Sequence, residues 1–329
     1  MKRIRVALVA SSYSTFVQRD REILREAFFL REVLWKGKRS IPKLVWSVLR
    51  SDVTFSWFAL DHAYGACWLA RILRRKSVVV VGGVDAAKRP DMSYGVHLDP
   101  VMGRRSRYAL AFSNRVLVVD DFLREEISQN TGIRRPEIVT VPLGFDVARF
   151  SPDGGRRTTV LTVGIVDDVN LRRKGLETFV RSAAYLPDLP FVLVGARPNA
   201  ATRRLSSLAG PNVRILGGIS DGELLEQFRI ARVYVQASEY EGLPTALGEA
   251  MACGCVPVGT RVAGIPTLIG DSGLYVPVGD PKATADAIRT AYSTMDGDAA
   301  RRQIQERFSL QRRRDALLEI VRGLVGRSS

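Results

Sequence analysis

The chain has 329 residues, 46% of them hydrophobic and 25% charged, and its 49 Lys and Arg against 34 Asp and Glu give a net charge of +15. This length predicts two domains, each able to bury a core, and the apolar share excludes a disordered chain. Cys67, Cys253 and Cys255 have neither disulfide-framework nor zinc-site spacing. No signal peptide and no apolar run near the roughly 20 residues of a membrane span is present, so we expect a cytoplasmic protein.

Short apolar runs alternate with helical patterns along the chain, which predicts βαβ units and parallel sheets. The predicted strands are 4–10, 52–57, 77–81, 116–119, 158–163, 191–194, 213–216, 233–236 and 256–258. The predicted helices are 18–29, 122–129, 175–185, 222–229, 244–252, 281–292 and a last one near 310–324.

Turn residues interrupt this alternation between positions 134 and 155. We therefore expect an α/β chain with a Rossmann-like domain at 1–150 and a second at 151–309, facing each other across a cleft. A C-terminal helix within 310–329 is expected to pack back across the junction. Ligands of open α/β sheets bind beyond the carboxyl ends of the strands, which predicts a site in that cleft.

The glycine pattern excludes two common nucleotide-binding classes. The turn after the first strand is Ala10-Ser11-Ser12-Tyr13-Ser14, and neither G-x-G nor G-x-x-x-x-G-K-[ST] occurs in the chain. A dinucleotide-binding oxidoreductase and a P-loop NTPase would carry one of these motifs.

The run from Ser238 to Gly254 contains the most informative chemistry. Proline suits the first turn of a helix, so Pro244 predicts its start, with Glu241 just before the helix and Glu249 inside it. A helix N-terminus attracts phosphate, and a carboxylate can accept two hydrogen bonds from a vicinal diol. These residues fit a nucleotide diphosphate that carries a polyol.

The spacing of Glu241 and Glu249, E-x7-E, resembles retaining glycosyltransferases of the GT-B fold, family 4. The resemblance covers about 190 residues. The further matching runs, in the order of the family, are Pro142 to Phe150, Val163-Gly164, Lys174-Gly175-Leu176, Gly264-Ile265-Pro266 and Gly273 to Pro277.

The resemblance implies that Glu241 faces the donor sugar, Glu249 binds the ribose hydroxyls and Lys174 neutralises the leaving diphosphate. The family usually has an arginine where this chain has Ile165, and Arg172 or Arg173 could supply the missing charge. The remaining donor-binding residues that it implies are Gly164, Gly242, Leu243, Pro244 and Thr245.

The first half resembles the acceptor domain of the family more loosely. Instead of the frequent histidine after strand 77–81, the chain has Gly82, Gly83 and then Asp85. Paired glycines permit close approach of a ligand, and Asp85 is the nearest polar candidate for catalysis, with a turn or cap as the alternative. Asp61 and His62 begin a helix and are candidates for acceptor binding, or for a cap beside a structural histidine.

The positive charge is concentrated in the first half: residues 1–150 hold 26 Lys and Arg against 15 Asp and Glu, and the rest hold 23 against 19. This favours an anionic partner, although a solvated basic surface explains it equally well. Residues 31–50 combine six cations with Trp35, Trp46 and helically spaced apolar residues. They predict an amphipathic helix that lies on an anionic membrane or packs on the first sheet. No recognition motif predicts nucleic-acid binding.

We therefore expect a retaining glycosyltransferase that moves a sugar from a UDP- or GDP-sugar to a glycan or lipid-linked acceptor in cell-envelope polysaccharide or glycoconjugate synthesis. No metal or other cofactor is expected, since Asp296-Gly297-Asp298 matches a metal motif only by chance. Peripheral association with the inner face of the membrane is compatible with this expectation. The alternatives are a non-catalytic protein that binds nucleotide sugars or polyanions, and a sugar-nucleotide epimerase of the same fold.

Overall fold

The structure is a computed structural model that describes residues 3–326, and within them the chain forms two compact units. The first contains residues 3–144 and 311–326, and the second contains residues 145–310. From residue 311 onward, the last helix therefore belongs to the first unit. Residues 1–2 and 327–329 of the predicted domains lie outside the described residues.

The sheet of the first unit has six parallel strands among the residues described there, in the order β2-β1-β3-β4-β5-β6. Its four consecutive valines, 78–81, are fully buried, as expected for a central strand covered on both faces. The strands are β1 Arg5–Ala10, β2 Phe29–Leu34, β3 Val53–Trp57, β4 Lys76–Val81, β5 Arg115–Val118 and β6 Ile138–Thr140. The helices are α1 Thr15–Ala27, α2 Ile41–Leu49, α3 Asp61–Ile72, α4 Pro100–Phe112 and α5 Phe122–Thr131, with 3-10 turns at Pro90–Met92 and Val96–Leu98.

The second unit repeats this architecture: its described strands form a six-stranded parallel sheet in the order β12-β11-β10-β7-β8-β9. The strands are β7 Thr159–Val163, β8 Phe191–Val194, β9 Val213–Leu216, β10 Ala231–Gln236, β11 Val256–Thr260 and β12 Leu274–Val276. The helices are α6 Asp168–Arg173, α7 Leu176–Ser182, α8 Ala200–Leu208, α9 Asp221–Ile230, α10 Thr245–Ala252, α11 Ile265–Ile269, α12 Pro281–Thr294 and α13 Asp298–Arg307. A 3-10 turn at Ala183–Tyr185 follows α7, and α14 Leu310–Gly326 ends the described chain. The expected class, α/β with two Rossmann-like units, is confirmed.

The two ends of the first unit are joined by a buried ion pair. Arg313 on α14 donates to both carboxylate oxygens of Asp20 on α1, at 2.8 and 2.6 Å, and Trp57 Nε1 donates to the same carboxylate at 2.9 Å. Arg313 also donates to the backbone carbonyls of Val141 and Pro142. Helix α14 is thereby held against the rest of the first unit by an ion pair and by hydrogen bonds to backbone carbonyls.

The predicted helix 18–29 is wrong at its end, because the helix stops at Ala27 and Phe29 begins strand β2. Phe28 continues the helical spacing of Leu24 in the sequence, but its backbone is extended. The new strand pairs in parallel with β1, which local periodicity cannot reveal. Within the basic segment 31–50, the helically spaced apolar residues run from Ile41 to Leu49, and these are the bounds of helix α2.

Helix α2 packs its apolar stripe on the first sheet, the second of the two expectations for this segment. Leu44 and Val48 are buried in a cluster with Val9 and Val33 of the sheet. Elements that the sequence did not predict are β2, α4, β6, α6, α8, α11, β12 and α13.

Candidate functional site

The loop between β10 and α10 holds Glu241, whose residue is only 8% exposed. Lys174 Nζ donates to Glu241 Oε1 at 2.6 Å, and Arg173 Nη1 donates to Oε2 at 3.3 Å. Gln236 and Ser238 approach Oε1 more distantly, each at 3.4 Å. Two adjacent cations thus face one buried carboxylate in the second unit.

The two cations are presented by the end of helix α6. Asp167 caps the start of this helix by accepting from the backbone N–H of Asn170. Arg173 Nη2 donates to Asn170 Oδ1 at 2.7 Å, and Arg173 Nη1 donates to the carbonyl of Tyr240 at 3.1 Å. The N–H of Glu239 donates in turn to the carbonyl of Arg173. These bonds connect the end of α6 to the loop that carries Glu241.

The cations keep the Glu241 carboxyl ionised. Burial alone would raise its pKa, but the positive charges of Lys174 and Arg173 outweigh burial and hold the pKa below its ordinary value. At neutral pH, Glu241 is therefore a hydrogen-bond acceptor and not a proton source.

Two glycines allow the close packing on which this arrangement depends. A Cβ at Gly164 would lie 2.7 Å from Lys174 Cδ, so the lysine stem crosses the end of β7 only because residue 164 has no side chain. A Cβ at Gly264 would lie 1.8 Å from the carbonyl oxygen of Gly242, directly after Glu241. The loop around Glu241 is therefore fixed by backbone contacts.

Helix α10 begins at Thr245, with Pro244 as its N-cap, so the prediction that Pro244 lies in the first turn is wrong by one residue. Its extended backbone (ψ 110°) places it just outside the helix. Glu249 lies inside α10 and is buried. Burial raises the pKa of the Tyr234 phenol, and the negative charges of Glu241 and Glu249 raise it further. Both carboxylates of the E-x7-E pair therefore lie within electrostatic range of this tyrosine.

The two candidate arginines have different environments. Arg172 Nε lies 3.1 Å from both carboxylate oxygens of Glu239, and its side chain is 56% exposed, whereas Arg173 is buried against Glu241. Ile165, at the position where the family usually has arginine, is exposed. Arg173 therefore pairs with Glu241, and Arg172 pairs with Glu239.

A cavity of about 420 Å³ lies beside Arg172, and Glu241, Lys174 and Glu249 do not line it. Its wall contains the ion pairs Arg172–Glu239 and Arg204–Glu177. Their charges cancel, so the cavity offers less attraction to a diphosphate than the Lys174 cluster.

The candidate residues of the first unit meet at the carboxyl ends of β3 and β4. Asp85 is 0% exposed, and its carboxylate accepts from the N–H groups of Gly82 and Gly83 at 3.0 Å and of Ala59 at 2.8 Å. Burial raises the pKa of Asp85 to about 6, although the backbone donors oppose this shift. In this structure Asp85 thus binds the loop after β3 to the loop after β4.

His62 is also buried, and its Nε2 lies 2.6 Å from the carbonyl oxygen of Trp57. Burial lowers the pKa of its imidazole. Asp61 is partly exposed and pairs with Arg105 at 2.9 Å. The roles of these two residues toward an acceptor stay predictions.

Two features of these sites were not predicted from the sequence. One is the pair of side chains that donate to Glu241, Gln236 and Ser238, and the other is the strained backbone of Phe58, whose φ is 65°. Phe58 follows β3 and precedes Ala59, which Asp85 holds. A positive φ at a bulky residue has no signature in one sequence. Gln236 ends β10 and Ser238 follows it, both close in sequence to Glu241. Their position at the carboxyl end of a predicted strand could therefore have indicated them as site residues.

Residues 157–294 match the family described as Glycosyl transferases group 1. Over 211 residues, the chain is 29% identical to the MMP alpha-(1->4)-mannosyltransferase of Mycolicibacterium hassiacum, covering 60% of this chain and 51% of that protein. Over 271 residues, it is 27% identical to the D-inositol 3-phosphate glycosyltransferase of Corynebacterium urealyticum, covering 73% of this chain and 64% of that protein. The chain thus spans about half to two thirds of the length of these curated relatives.

Among solved structures, the chain is similar to Anabaena Alr3699/HepE in complex with UDP and glucose, with a TM-score of 0.81 and 14% identity over 97% of this chain and 99% of that one. At this identity the likeness establishes the fold. Within residues 3–326, no helix is long and apolar enough to cross a membrane. The chain therefore has the two-unit fold of the GT-B glycosyltransferases, and the part that contains Lys174, Glu241 and Glu249 matches the group 1 glycosyl transferases.

Proposed function

We propose that this protein is a retaining glycosyltransferase that transfers a hexosyl or related sugar from a nucleotide-diphosphate sugar to a glycan or lipid-linked acceptor. The observation that carries the proposal is the contact of Lys174 and Arg173 with the buried carboxylate of Glu241, close to the start of α10 and within the matched residues 157–294. The combination supplies cations for a diphosphate and an ionised acceptor for hydroxyl groups.

The diphosphate of the donor would bind between Lys174 and the start of α10. An ammonium group has three N–H donors, and one of those on Lys174 is used by Glu241, which leaves donors for phosphate oxygens. The free N–H groups and positive dipole end of α10, near Thr245, add to this attraction. Gly242 and Leu243 would line the path of the diphosphate to the start of α10. Stabilisation of the departing phosphate is the main catalytic contribution expected of Lys174.

The donor sugar would bind at Glu241 and the ribose at Glu249. Because Glu241 stays ionised at neutral pH, it accepts hydrogen bonds from sugar hydroxyls and does not protonate the leaving group. Arg173, which contacts this carboxylate, is proposed to supply the positive charge of the missing family arginine. Retention would then follow the front-face route, in which the leaving phosphate takes the proton of the acceptor hydroxyl as the new glycosidic bond forms.

The first unit would bind the acceptor. Asp61 and Gly83 lie at the carboxyl ends of its strands, where ligands of such sheets bind, and Asp85 and His62 would position the loops there through the bonds described above. The excess of positive charge in this half supports an anionic acceptor, such as a lipid diphosphate sugar, and peripheral association with the inner membrane face. The proposed process is cell-envelope polysaccharide or glycoconjugate synthesis.

The proposed donor is a UDP- or GDP-sugar. UDP is supported by the similar fold of Anabaena Alr3699/HepE, whose structure contains UDP and glucose. The names of the two curated relatives, a mannosyltransferase and an inositol phosphate glycosyltransferase, support transfer of a sugar without identifying its base.

The test is thermal stabilisation by a panel of UDP-, GDP- and ADP-sugars, measured for the wild type and Glu249→Ala. Ligand that binds only the native state raises its stability as RT ln(1 + [L]/Kd), so a saturating donor adds roughly 3 kcal/mol at 100 times Kd. We expect one nucleotide to stabilise the wild type and not Glu249→Ala.

The matched control is Glu239→Ala, which removes a carboxylate from the same loop that pairs with Arg172 and not with Lys174. This variant should keep the stabilisation. If the wild type is folded and no nucleotide sugar stabilises it, the proposal of a donor site is contradicted. A donor that binds but is never hydrolysed or transferred would indicate the non-catalytic binding protein.

A further inference from the structure

The carboxyl-terminal ends of three neighbouring helices in the first unit form one exposed apolar and basic surface. Helix α3 packs against both α2 and α4. Arg75 Nη2 donates to the carbonyl of Leu49 at 3.4 Å, which joins the ends of α2 and α3, and the guanidinium of Arg71 lies 4.5 Å from the ring centroid of Phe112, which joins the ends of α3 and α4. We call the set Trp46, Leu49, Arg50, Trp68, Arg71, Ile72 and Phe112 the helix-end surface.

The apolar members of this surface are unusually exposed. Trp46, Trp68 and Phe112 are 48%, 46% and 47% exposed, and Ile72 is 58% exposed. Trp68 and Ile72 stand one turn apart on α3 and therefore on the same side of that helix. Exposed aromatic residues in a contiguous patch indicate an interaction site.

The charges around the surface are almost all positive. Residues 41–52, 61–76 and 100–115 contain ten Lys and Arg and two carboxylates, Asp52, which pairs with Arg5, and Asp61. Asp61 begins α3, at the opposite end from the surface, and pairs with Arg105. The partner of this surface is therefore anionic.

Cation–π contacts hold the charges beside the rings. The guanidinium of Arg31 lies 4.6 Å from the ring centroid of Trp46, and that of Arg50 lies 5.5 Å from it. Arg31 also lies 4.8 Å from the ring of Phe29, itself exposed. The rings of Phe29, Trp46 and Phe112 thus each have a cation beside them, which suits a boundary where an apolar layer lies next to an anionic one.

From this arrangement we infer that the helix-end surface docks on the headgroup region of an anionic lipid bilayer, with Trp46 and Trp68 entering the interface and the arginines contacting lipid phosphates. Tryptophan concentrates at membrane interfaces, and basic helices with Trp and aliphatic residues bind there. A nucleic acid would use the cations and the rings but not the exposed aliphatic side chains of Leu49 and Ile72. The inference rests on the peripheral membrane association proposed above, and vesicle binding tests it separately from donor binding and transfer.

The test is co-sedimentation of the full chain with vesicles of phosphatidylcholine alone or with roughly one third phosphatidylglycerol. We expect binding to the anionic vesicles only, weakened by salt. Each cation near such a surface contributes roughly fivefold to partitioning, so Arg50→Glu/Arg71→Glu should lower binding by at least about tenfold. Trp46→Ser/Trp68→Ser should lower it comparably.

The matched control is Tyr185→Ser/Ile230→Ser, which removes two exposed apolar side chains from the second unit. Its binding to the anionic vesicles should equal that of the wild type. Brominated lipid provides a measurement on the wild type alone, because insertion of Trp46 and Trp68 should quench its tryptophan fluorescence. The inference is overturned by equal binding of wild type and the tryptophan variant, by absence of quenching, or by binding to single-stranded RNA without binding to vesicles.

Discussion

Lys174 Nζ lies 2.6 Å from Glu241 Oε1, so a cation and a carboxylate 67 positions apart in the chain form one ion pair at the ends of β7 and β10. Both side chains are largely buried, and a phosphate that binds Lys174 would share it with Glu241. The donor would therefore enter a site whose charge is already partly balanced. This keeps the carboxylate ionised and leaves the cluster of Lys174, Arg173 and Glu241 with one net positive charge.

Replacing the lysine should impair catalysis much more than replacing its neighbour. We expect Lys174→Gln to lower kcat/KM for the donor by about 100-fold, because removal of one group that stabilises charge in the transition state commonly costs this much. Steady-state donor hydrolysis or transfer is the measurement. Arg172→Gln, which removes an exposed cation paired with Glu239, is the control and should stay within about threefold. Similar losses in both variants would contradict the assignment.

Replacing Arg173 should lower the stability of the folded protein. Arg173→Gln removes buried hydrogen bonds to Glu241, Asn170 and the carbonyl of Tyr240. Lys174 still pairs with Glu241, but polar groups left buried without a donor are costly, so we expect the free energy of unfolding to fall by about 3 kcal/mol. Urea unfolding of the variant beside Arg172→Gln gives the comparison, since the exposed Arg172 pair should contribute less than about 1 kcal/mol. Equal unfolding midpoints for the two variants would contradict a structural role for the buried hydrogen bonds of Arg173.

The Asp20–Arg313 pair predicts a strong coupling between the first and last helices of the first unit. Arg313→Met leaves the Asp20 carboxylate buried with Trp57 Nε1 as a remaining donor, and we expect a loss of about 3–5 kcal/mol. Asp20→Leu combined with Arg313→Met should recover much of this loss, because both charges are then gone. A double-mutant cycle measures the coupling, and strictly additive losses would refute it.

Asp85 predicts a pH dependence of stability. Its pKa is about 6 in the native state against an ordinary value of 3.8, so the native state holds the proton more tightly than the unfolded state. Its contribution is therefore complete below pH of about 4 and is lost as the pH rises to about 6. The stability of the wild type relative to Asp85→Asn should decrease across that window. Denaturant unfolding at several pH values measures it, and a constant difference would contradict the burial of the carboxyl.

The local patterns of the sequence predicted most strands because each is a short apolar run bounded by turn residues. Val78–81 and 191–194 are examples, and both are buried parallel strands. Strand β2 could not be predicted in this way, since Phe29–Leu34 is only partly buried and is a strand because it pairs with β1. The spacing of apolar residues indicates which positions of one segment are buried. It does not indicate which strand that segment pairs with.

By itself the sequence determined the fold class and the chemical types at the proposed donor site: E-x7-E, a lysine before a glycine, and a helix start after Gly242. Only the tertiary structure decided that Arg173 contacts Glu241 whereas Arg172 contacts Glu239, and that Arg313 reaches Asp20 across 293 positions. The physical reason is that hydrophobic periodicity and turn chemistry act between neighbours along the chain. Ion pairing depends instead on distance and burial in space, which exist only after the sheets have formed.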